Sequence, residues 1–410
     1  MSKHHNPIPI FDTLEHLTNQ ALDDSYRQAF ASCDFSHIKS FLLQYTKSKD
    51  TFNTYRRECE RLVQWSWLIA NKPVTELKRV DIEKYISFCQ KPPKAWIGVK
   101  KVSRYILNGG IRCPNPEWKL FVATVKKAEF HNNNEPSTSS YLFSQKALKS
   151  MLACINSLFR FLTCENITDV NPVAQIRQKS QLIRKQSSKR VVRRLTSLQW
   201  EFLIDTVKIM ADKNPDVHER TLFIISSLYL MYLRISELTS SDRWQPQMGH
   251  FYKDSAENWW FKTVGKGNKE RDITVSDTML LALKRYRKYR GLSPALPLAG
   301  ESEDLIHKTR GCGGIKSSRH IRLIVQTCFD SAILQMKQEG FIDDAKTLQE
   351  ATVHWLRHTG ISDDINKRDR PIAHVRDDAG HASSSTTDLY NDAEHKARHL
   401  SGKNKRIMPD

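Results

Sequence analysis

The chain has no run of about 18 consecutive apolar residues, the length a membrane-crossing helix requires. Its longest candidate, Thr221 to Leu233, is shorter and contains serines. The opening Met1-Ser2-Lys3-His4-His5-Asn6 has no apolar core, so no secretory signal is expected there. The eight cysteines (33, 59, 89, 113, 154, 164, 312 and 328) form no C-x-x-C pair. That argues against a zinc module and against a disulfide framework, and a reducing cytoplasm is expected. No segment recurs at the 20–50-residue periods of repeat proteins. Acid is also short: 45 acidic residues against 64 basic ones leave a net charge of +19 and a pI of about 9.5. Such a field draws polyanions, nucleic acid first among them; a basic protein on a membrane surface is the rival. At 410 residues, two or three domains are expected, each with its own core.

Along the chain, residues 1–36 have mixed polarity and read as a loosely docked N-terminal arm. Helical patterning begins at His37. The Thr51–Arg57 stretch leads into Leu62, Val63, Trp65, Trp67, Leu68 and Ile69, and Lys72-Pro73 stops the run. A second helix opens at Val74-Thr75-Glu76-Leu77 and ends at Pro92-Pro93. Residues 91–140 break the rhythm with Asn108-Gly109-Gly110, Cys113-Pro114-Asn115-Pro116 and Asn132-Asn133-Asn134. They read as a partly mobile insertion within a helical domain spanning 37–176. Helical spacing returns at Ser144 and closes near Asn171-Pro172.

Residues 177–194 hold eight basic side chains and no acid: Arg177, Lys179, Arg184, Lys185, Lys189, Arg190, Arg193 and Arg194. A charge run is usually a solvated tether. Between two domains of a basic protein it is expected to make direct phosphate contact. A second domain, 195–390, opens with a capping signature at Leu195-Thr196-Ser197-Leu198-Gln199. A buried helix is expected over Thr221 to Leu238. Trp259 to Val264 and Arg271 to Val275 read as two strands around a Gly265-Lys266-Gly267-Asn268 turn. Mostly helical sequence follows, broken at Gly311-Cys312-Gly313-Gly314, with a tail over 391–410.

The chemistry concentrates near the C-terminus. His354 and Arg357 share a helix face at three-residue spacing. His381 follows Gly380, where a turn aims it, and Tyr390 comes nine residues later. Two imidazoles, a guanidinium and a phenol suit attack on a phosphodiester with proton shuttling and oxyanion stabilisation. Arg234 falls in an apolar stretch, so it needs a partner or a cleft. Glu237, three residues on, makes a plain ion pair the bland reading, and a helix-surface arginine is the bland reading of Arg357. Together the two guanidiniums suit the oxygens of one phosphate. Lys266 and Lys269 compete as hairpin lysines able to protonate a leaving oxygen. The adjacent pairs Asp363-Asp364 and Asp377-Asp378 are expected on solvated helix surface, which leaves a metal-dependent nuclease or transposase no carboxylate cluster.

Arg234-Ile235-Ser236-Glu237-Leu238, Gly265-Lys266-Gly267-Asn268-Lys269-Glu270-Arg271, His354-Trp355-Leu356-Arg357-His358-Thr359 and Gly380-His381 through Tyr390 stand in the order found in one family. With these motifs the chain resembles the tyrosine recombinases, or phage-integrase family, over about residues 195–395. The N-terminal part is similar more loosely, at Thr51 to Tyr55, Val74 to Ile82 and Asn171-Pro172. Ala379 stands where the family usually has leucine, Gly360 and 362–370 replace a more apolar helix, and the 91–140 insertion is longer than usual.

The resemblance implies a mainly α protein with a small β-sheet, in which a helical core-binding domain precedes a mixed α/β catalytic domain. It implies that Tyr390 attacks a scissile phosphate, forms a 3′-phosphotyrosyl link and releases a 5′-hydroxyl. Arg234 and Arg357 would stabilise the phosphorane, His354 and His381 would donate hydrogen bonds and handle protons, and Lys266, selected over Lys269, would protonate the leaving oxygen. Glu237 would orient the cluster. No cofactor and no metal are expected, since side-chain cations do that work. The implied partners are double-stranded DNA and three further copies, a homotetramer on two DNA sites that is a monomer or dimer without DNA. The 391–410 tail would dock on a neighbour, with room for accessory DNA-bending or directionality proteins. Nucleoid association and no membrane are expected. Topoisomerases and hairpin-telomere resolvases share this chemistry, and a catalytically silent DNA-binding protein is the alternative from another class.

Overall fold

The computed structural model describes residues 6–125, 127, 129, 135–179, 193–265, 267–381, 383–388, 390, 399–400 and 402–403. The chain divides into two compact units, Met1–Ser187 and Ser188–Asp410.

The first unit is a helical body with a small β insertion. A single turn, α1 (Leu14–Leu17), is followed by α2 (Ala31–Leu43), α3 (Lys49–Trp65) and α4 (Arg79–Gln90). The helix α3 runs on into a π-helical turn over Ser66–Ala70 and stops at Asn71, whose φ of 50° cannot continue a helix. Helix α4 starts at Arg79 rather than at Val74, because Val74–Glu76 forms a 3₁₀ turn and the Asp81 carboxylate accepts the Lys78 N–H.

The expectation of a loosely docked N-terminal arm is not met. Ile10, Phe11, Leu17, Ala31 and Phe35 are buried in the core of this unit, and helix begins at Ala31. The Ile10 N–H donates to Glu60 Oε1 at 2.7 Å, and Arg56 Nη1 donates to the Asp12 carbonyl at 2.6 Å. A segment holding five apolar core side chains and satisfied by a buried carboxylate is part of the domain.

The 91–140 region also differs from its reading. Four short strands lie there: β1 (Ile97–Gly98), β2 (Tyr105–Asn108), β3 (Ile111–Pro114) and β4 (Phe121–Val122). β1 and β4 pair in parallel, and β2 and β3 form a hairpin whose two-residue turn, Gly109-Gly110, has positive φ at both positions. Trp96, Trp118, Leu120 and Phe121 are buried. Arg104 pairs with Glu60, and Arg112 binds both oxygens of Asp12 at 2.6 and 2.7 Å. The insertion therefore locks the N-terminal segment in place. Gly/Pro/Asn content signalled the turns and hid the aromatics that pin them.

Helix α5 (Gln145–Cys164) opens with the Ser144 hydroxyl accepting the Ala147 N–H at 3.1 Å. It is long and apolar enough to cross a membrane by length and composition. Leu148, Met151, Leu152, Ile155, Leu158, Phe159 and Leu162, however, form a buried stripe at helical spacing, which marks a core helix. Helix α6 (Pro172–Lys179) closes the unit. Arg177 and Lys179 lie in its last turn, Arg193 and Arg194 precede the next unit's first helix, and Arg184, Lys185, Lys189 and Arg190 lie outside the described residues.

The second unit opens with α7 (Ser197–Lys213), capped by Thr196 and Gln199 in the reciprocal manner its sequence suggests. Helix α8 (Pro215–Leu230) runs through the core, with every residue from Glu219 to Tyr229 buried. The helix expected to reach Leu238 ends at Leu230. Tyr232 takes φ 51°, and Arg234 becomes the residue before a separate turn, α9 (Ile235–Leu238). A three-stranded antiparallel sheet follows in the order β5 (Phe251–Lys253), β6 (Trp259–Val264), β7 (Glu270–Thr274). The first strand is only three residues long and lacks an alternating signature. Helices α10 (Asp277–Tyr289), α11 (Ser318–Gln338), α12 (Ile342–Leu348), α13 (Val353–Asn366), α14 (Ile372–Ala379) and α15 (Ser384–Asp388) complete the unit.

The α8–α13 contact positions the site. A Cβ on Gly360 would stand 2.0 Å from the Tyr229 carbonyl oxygen, so the two helices meet backbone to backbone. That approach brings the Arg234 turn beside the face of α13 that carries Arg357.

Candidate active site

Glu237 lies at the centre. Its side chain is 0% exposed, a position a carboxylate holds only when it is paired. Arg271, at the return of the β6–β7 hairpin, binds it with both terminal nitrogens: Nη1 to Oε1 at 2.8 Å and Nη2 to Oε2 at 2.9 Å. Arg234 adds its Nη1 to Oε1 at 3.0 Å and its backbone N–H to Oε2 at 2.8 Å. Burial alone pushes the Glu237 carboxyl up. The Arg271 bonds and charge, then the Arg234 N–H and charge, outweigh it and hold the group below the usual carboxylate range.

A third guanidinium completes the cage. Arg357, 2% exposed, donates to the carbonyls of Tyr232 and Ala379. Arg234 Nη2 shares the Ala379 carbonyl at 3.4 Å and reaches that of Gly380 at 3.1 Å. Both arginines therefore converge on the end of α14. Burial, then the charge of Arg234, depresses Arg357 to about 9. Gly380 is required there twice over: its φ is 61°, and a Cβ would come 2.9 Å from Arg271 Cδ. Arg271 Nε donates to the Asp378 carbonyl at 2.9 Å on the same turn. Three guanidiniums around one carboxylate leave a net charge of +2 in a largely desolvated place, the electrostatic signature of an anion site.

The expectation that the aspartate pairs are solvated fails for three of the four. Asp363, Asp364 and Asp378 are buried. Asp364 pairs with Arg368 and Arg370 and accepts the Tyr232 hydroxyl. Arg370 also bonds Asp378 at 2.7 Å, and Asp378 accepts the Thr274 N–H at 3.2 Å. Asp363 accepts the Tyr229 hydroxyl at 2.7 Å. Only Asp377 is on the surface. These carboxylates fasten the loop after α13 and the strand β7 to α14, and so hold the carbonyls that the arginines grip.

Tyr390 is 3% exposed. Its ring packs against two imidazoles, with His358 at 5.3 Å and 30° and His381 at 6.1 Å and 17°. Its hydroxyl meets His358 Nδ1. Its carbonyl accepts from Asn366 Nδ2 at 2.7 Å, and its N–H donates to the Thr387 carbonyl at 3.0 Å. Burial raises its phenol to about 12, against the opposing charges of Arg357 and Arg234. His381 bonds the Thr387 hydroxyl at 2.9 Å and is pushed down to about 4, chiefly by burial and then by Arg357. His354 is exposed at the start of α13, its ring edge-on to His358 at 4.3 Å. Partial desolvation of its ring among these neighbours, followed by the charges of Arg357 and Arg234, lowers it.

Of the six expected catalytic positions, Arg234, His354, Arg357, His381 and Tyr390 thus gather in one place around Glu237. Lys266 lies outside the described residues; its neighbours Gly265, Gly267 and Asn268 form the tip of the β6–β7 hairpin, where Gly267 and Asn268 have positive φ. Sequence reading passed over Arg271 and His358, although both stand inside the quoted motifs. It had no signal for the Arg368–Arg370–Asp364–Asp378 lattice.

A family model described as the phage integrase family matches residues 193–397, half of the chain. The chain belongs to the phage integrase family, the tyrosine-type site-specific DNA recombinases. It is 22% identical over 258 residues to the tyrosine recombinase XerC of Chlorobaculum parvum, covering 60% of this chain and 68% of that one. It is 23% identical over 251 residues to XerD of Rickettsia prowazekii, covering 60% and 71%. Its fold is similar to that of the XerH site-specific recombinase solved with a palindromic difH substrate in a post-cleavage complex. The TM-score is 0.55 over 95% of this chain and 93% of that one, at 13% identity.

Proposed function

We propose that Tyr390 is the nucleophile of this recombinase and that the Arg234–Arg357–His381 cluster is the seat of the scissile phosphate. The observation that carries this is the convergence of a buried phenol, two arginines and two imidazoles in contact with the phenol near the end of α14. The Tyr390 oxygen bonds to phosphorus, the bond from phosphorus to the 5′-oxygen breaks, and a 3′-phosphotyrosyl link remains. Lys266 gives its proton to the departing oxygen. Arg234, with 26% of its side chain exposed, meets the non-bridging oxygens. Arg357 adds its charge from beneath, where low dielectric makes it count most. Glu237 and Arg271 hold Arg234 in place, and His354 and His381 complete the hydrogen bonding to the phosphorane. The energy of the broken bond stays in the covalent link, and the 5′-hydroxyl of a partner strand recovers it on rejoining.

Double-stranded DNA is the substrate, a reading supported by the XerH recombinase solved on its difH substrate. The working assembly we propose is a homotetramer on two sites, with the 391–410 tail docking on a neighbour. The two units, Met1–Ser187 and Ser188–Asp410, act as the two DNA-holding domains, and the basic side chains of 177–194 bind phosphate. The test is covalent trapping: nicked duplexes, EDTA, then denaturation. A protein–DNA adduct that survives EDTA and is lost in Tyr390→Phe is expected. An adduct that persists in Tyr390→Phe would overturn the assignment.

A further inference from the structure

We propose that His358, one helical turn beyond His354, is the group that takes the proton from the Tyr390 hydroxyl during cleavage. The inference rests on Tyr390 being the nucleophile and goes beyond it by assigning its proton acceptor. Among the described residues, His358 is the hydrogen-bond partner of that hydroxyl, through Nδ1. The two rings lie 5.3 Å apart and are inclined by 30°. His354 and His381 make other contacts: His354 meets the edge of His358, and His381 Nδ1 bonds the Thr387 hydroxyl.

His358 is suited to accept. Burial, then the charges of His354, Arg357 and His381, drives it down to about 3, so at neutral pH it is an uncharged imidazole with a free lone pair. As a resting base it is weak against a phenol raised to about 12. A bound phosphate changes that balance. Its negative charge offsets Arg357, Arg234 and Arg271, the arginines that face the His358–His381–Tyr390 group, and makes an imidazolium there more stable. The proton therefore moves only when substrate is seated. In the step itself, the Tyr390 Oη–phosphorus bond forms, the bond to the 5′-oxygen breaks, and the Tyr390 proton ends on His358 Nδ1. A separate proton from Lys266 ends on the 5′-oxygen. On rejoining, His358 returns its proton to Tyr390, so cleavage and religation depend on it equally.

The experiment is single-turnover cleavage by the full chain on a nicked duplex that the parent protein cleaves, comparing His358→Ala, His358→Gln and Tyr390→Phe. DNA binding and melting temperature are measured alongside. Both His358 variants are expected to bind DNA as the parent does and to cleave about 10²–10⁴-fold more slowly, the usual contribution of a positioned proton acceptor. Added imidazole should partly restore His358→Ala, in proportion to its free-base fraction, and religation should slow by the same factor as cleavage. Gln retains an acceptor oxygen without basicity. Parent-like cleavage by His358→Gln would overturn proton acceptance and leave a positioning contact. Loss of cleavage in His358→Ala that imidazole does not restore, in a variant with normal melting, would overturn it as well. An adduct surviving in Tyr390→Phe would instead remove the nucleophile assignment on which the inference stands.

Discussion

Replacing Glu237 by glutamine should destabilise the catalytic unit sharply while leaving its shape almost unchanged. The carboxylate is fully buried and takes two bonds from Arg271 and two from Arg234. Arg271 is 11% exposed, and Arg357 lies close enough to feel the same charge. Removing one partner of a buried ion pair costs about 3–5 kcal/mol, because the remaining charge is stranded. For a unit of this size each kcal/mol lowers the melting temperature by about 2–4 °C, so a fall of about 6–20 °C is expected. The assay is thermal unfolding of the full chain, followed by circular dichroism. Arg271→Met should cost less in the Glu237→Gln background than in the parent, with a coupling of about 0.5–3 kcal/mol. The gap between parent and Glu237→Gln should also narrow in acid. The folded carboxyl is held below its ordinary 4.5, so its contribution is complete above the unfolded value and lost as pH falls through the folded one. A Glu237→Gln melting point within about 2 °C of the parent, with additive Arg271 and Glu237 substitutions, would refute the reasoning.

Gly360→Ala should be strongly destabilising, by about 1–3 kcal/mol or more. Its new Cβ would meet the Tyr229 carbonyl at 2.0 Å, and backbone cannot swing aside as a side chain does; a parent-like urea midpoint would contradict the close α8–α13 approach. Stability should fall as pH drops below about 6.5, the ordinary histidine value. His307, His358 and His381 are held to about 4, 3 and 4 by burial and neighbouring cations, and they take up protons on unfolding before they do so in the folded state. Melting curves between about pH 7 and 5 check this, and His358→Gln should flatten the slope. Replacing Arg184, Lys185, Lys189 and Arg190 together by alanine should reduce the salt dependence of DNA binding by about three to four in the logarithmic slope. An unchanged slope would place the basic segment away from phosphate.

Most side chains that gather at the candidate site were legible in the sequence because the proposed chemistry constrains their identity and spacing: His354 and Arg357 on one helix face, Gly380 before His381. Helix starts such as Thr196 and Ser144 were legible for a similar reason, since a cap is a local hydrogen bond. What escaped was set by distant partners. Asp364 and Asp378 look like surface acids until Arg370 is brought between them. Arg234 appeared to be inside a helix because the apolar run continues past Leu230, whereas the close α8–α13 approach and the positive φ of Tyr232 end it. The 91–125 region reads as turns because its glycines and prolines are local signals. The burial of Trp96, Trp118 and Phe121 against the helices is not. His358 stood in plain view beside Arg357, and only the placement of Tyr390 separates its role from that of His354.

The central claim is that Tyr390 carries the broken DNA strand. Its most direct test is to trap the adduct on a nicked duplex, digest the protein, and sequence the nucleotide-bearing peptide by mass spectrometry. The expected product is a phosphodiester on the Tyr390 hydroxyl, joined to the 3′ end of the cleaved strand, with a free 5′-hydroxyl on the other fragment. A nucleotide attached to any other residue, or a 5′-linked adduct at Tyr390, would contradict it.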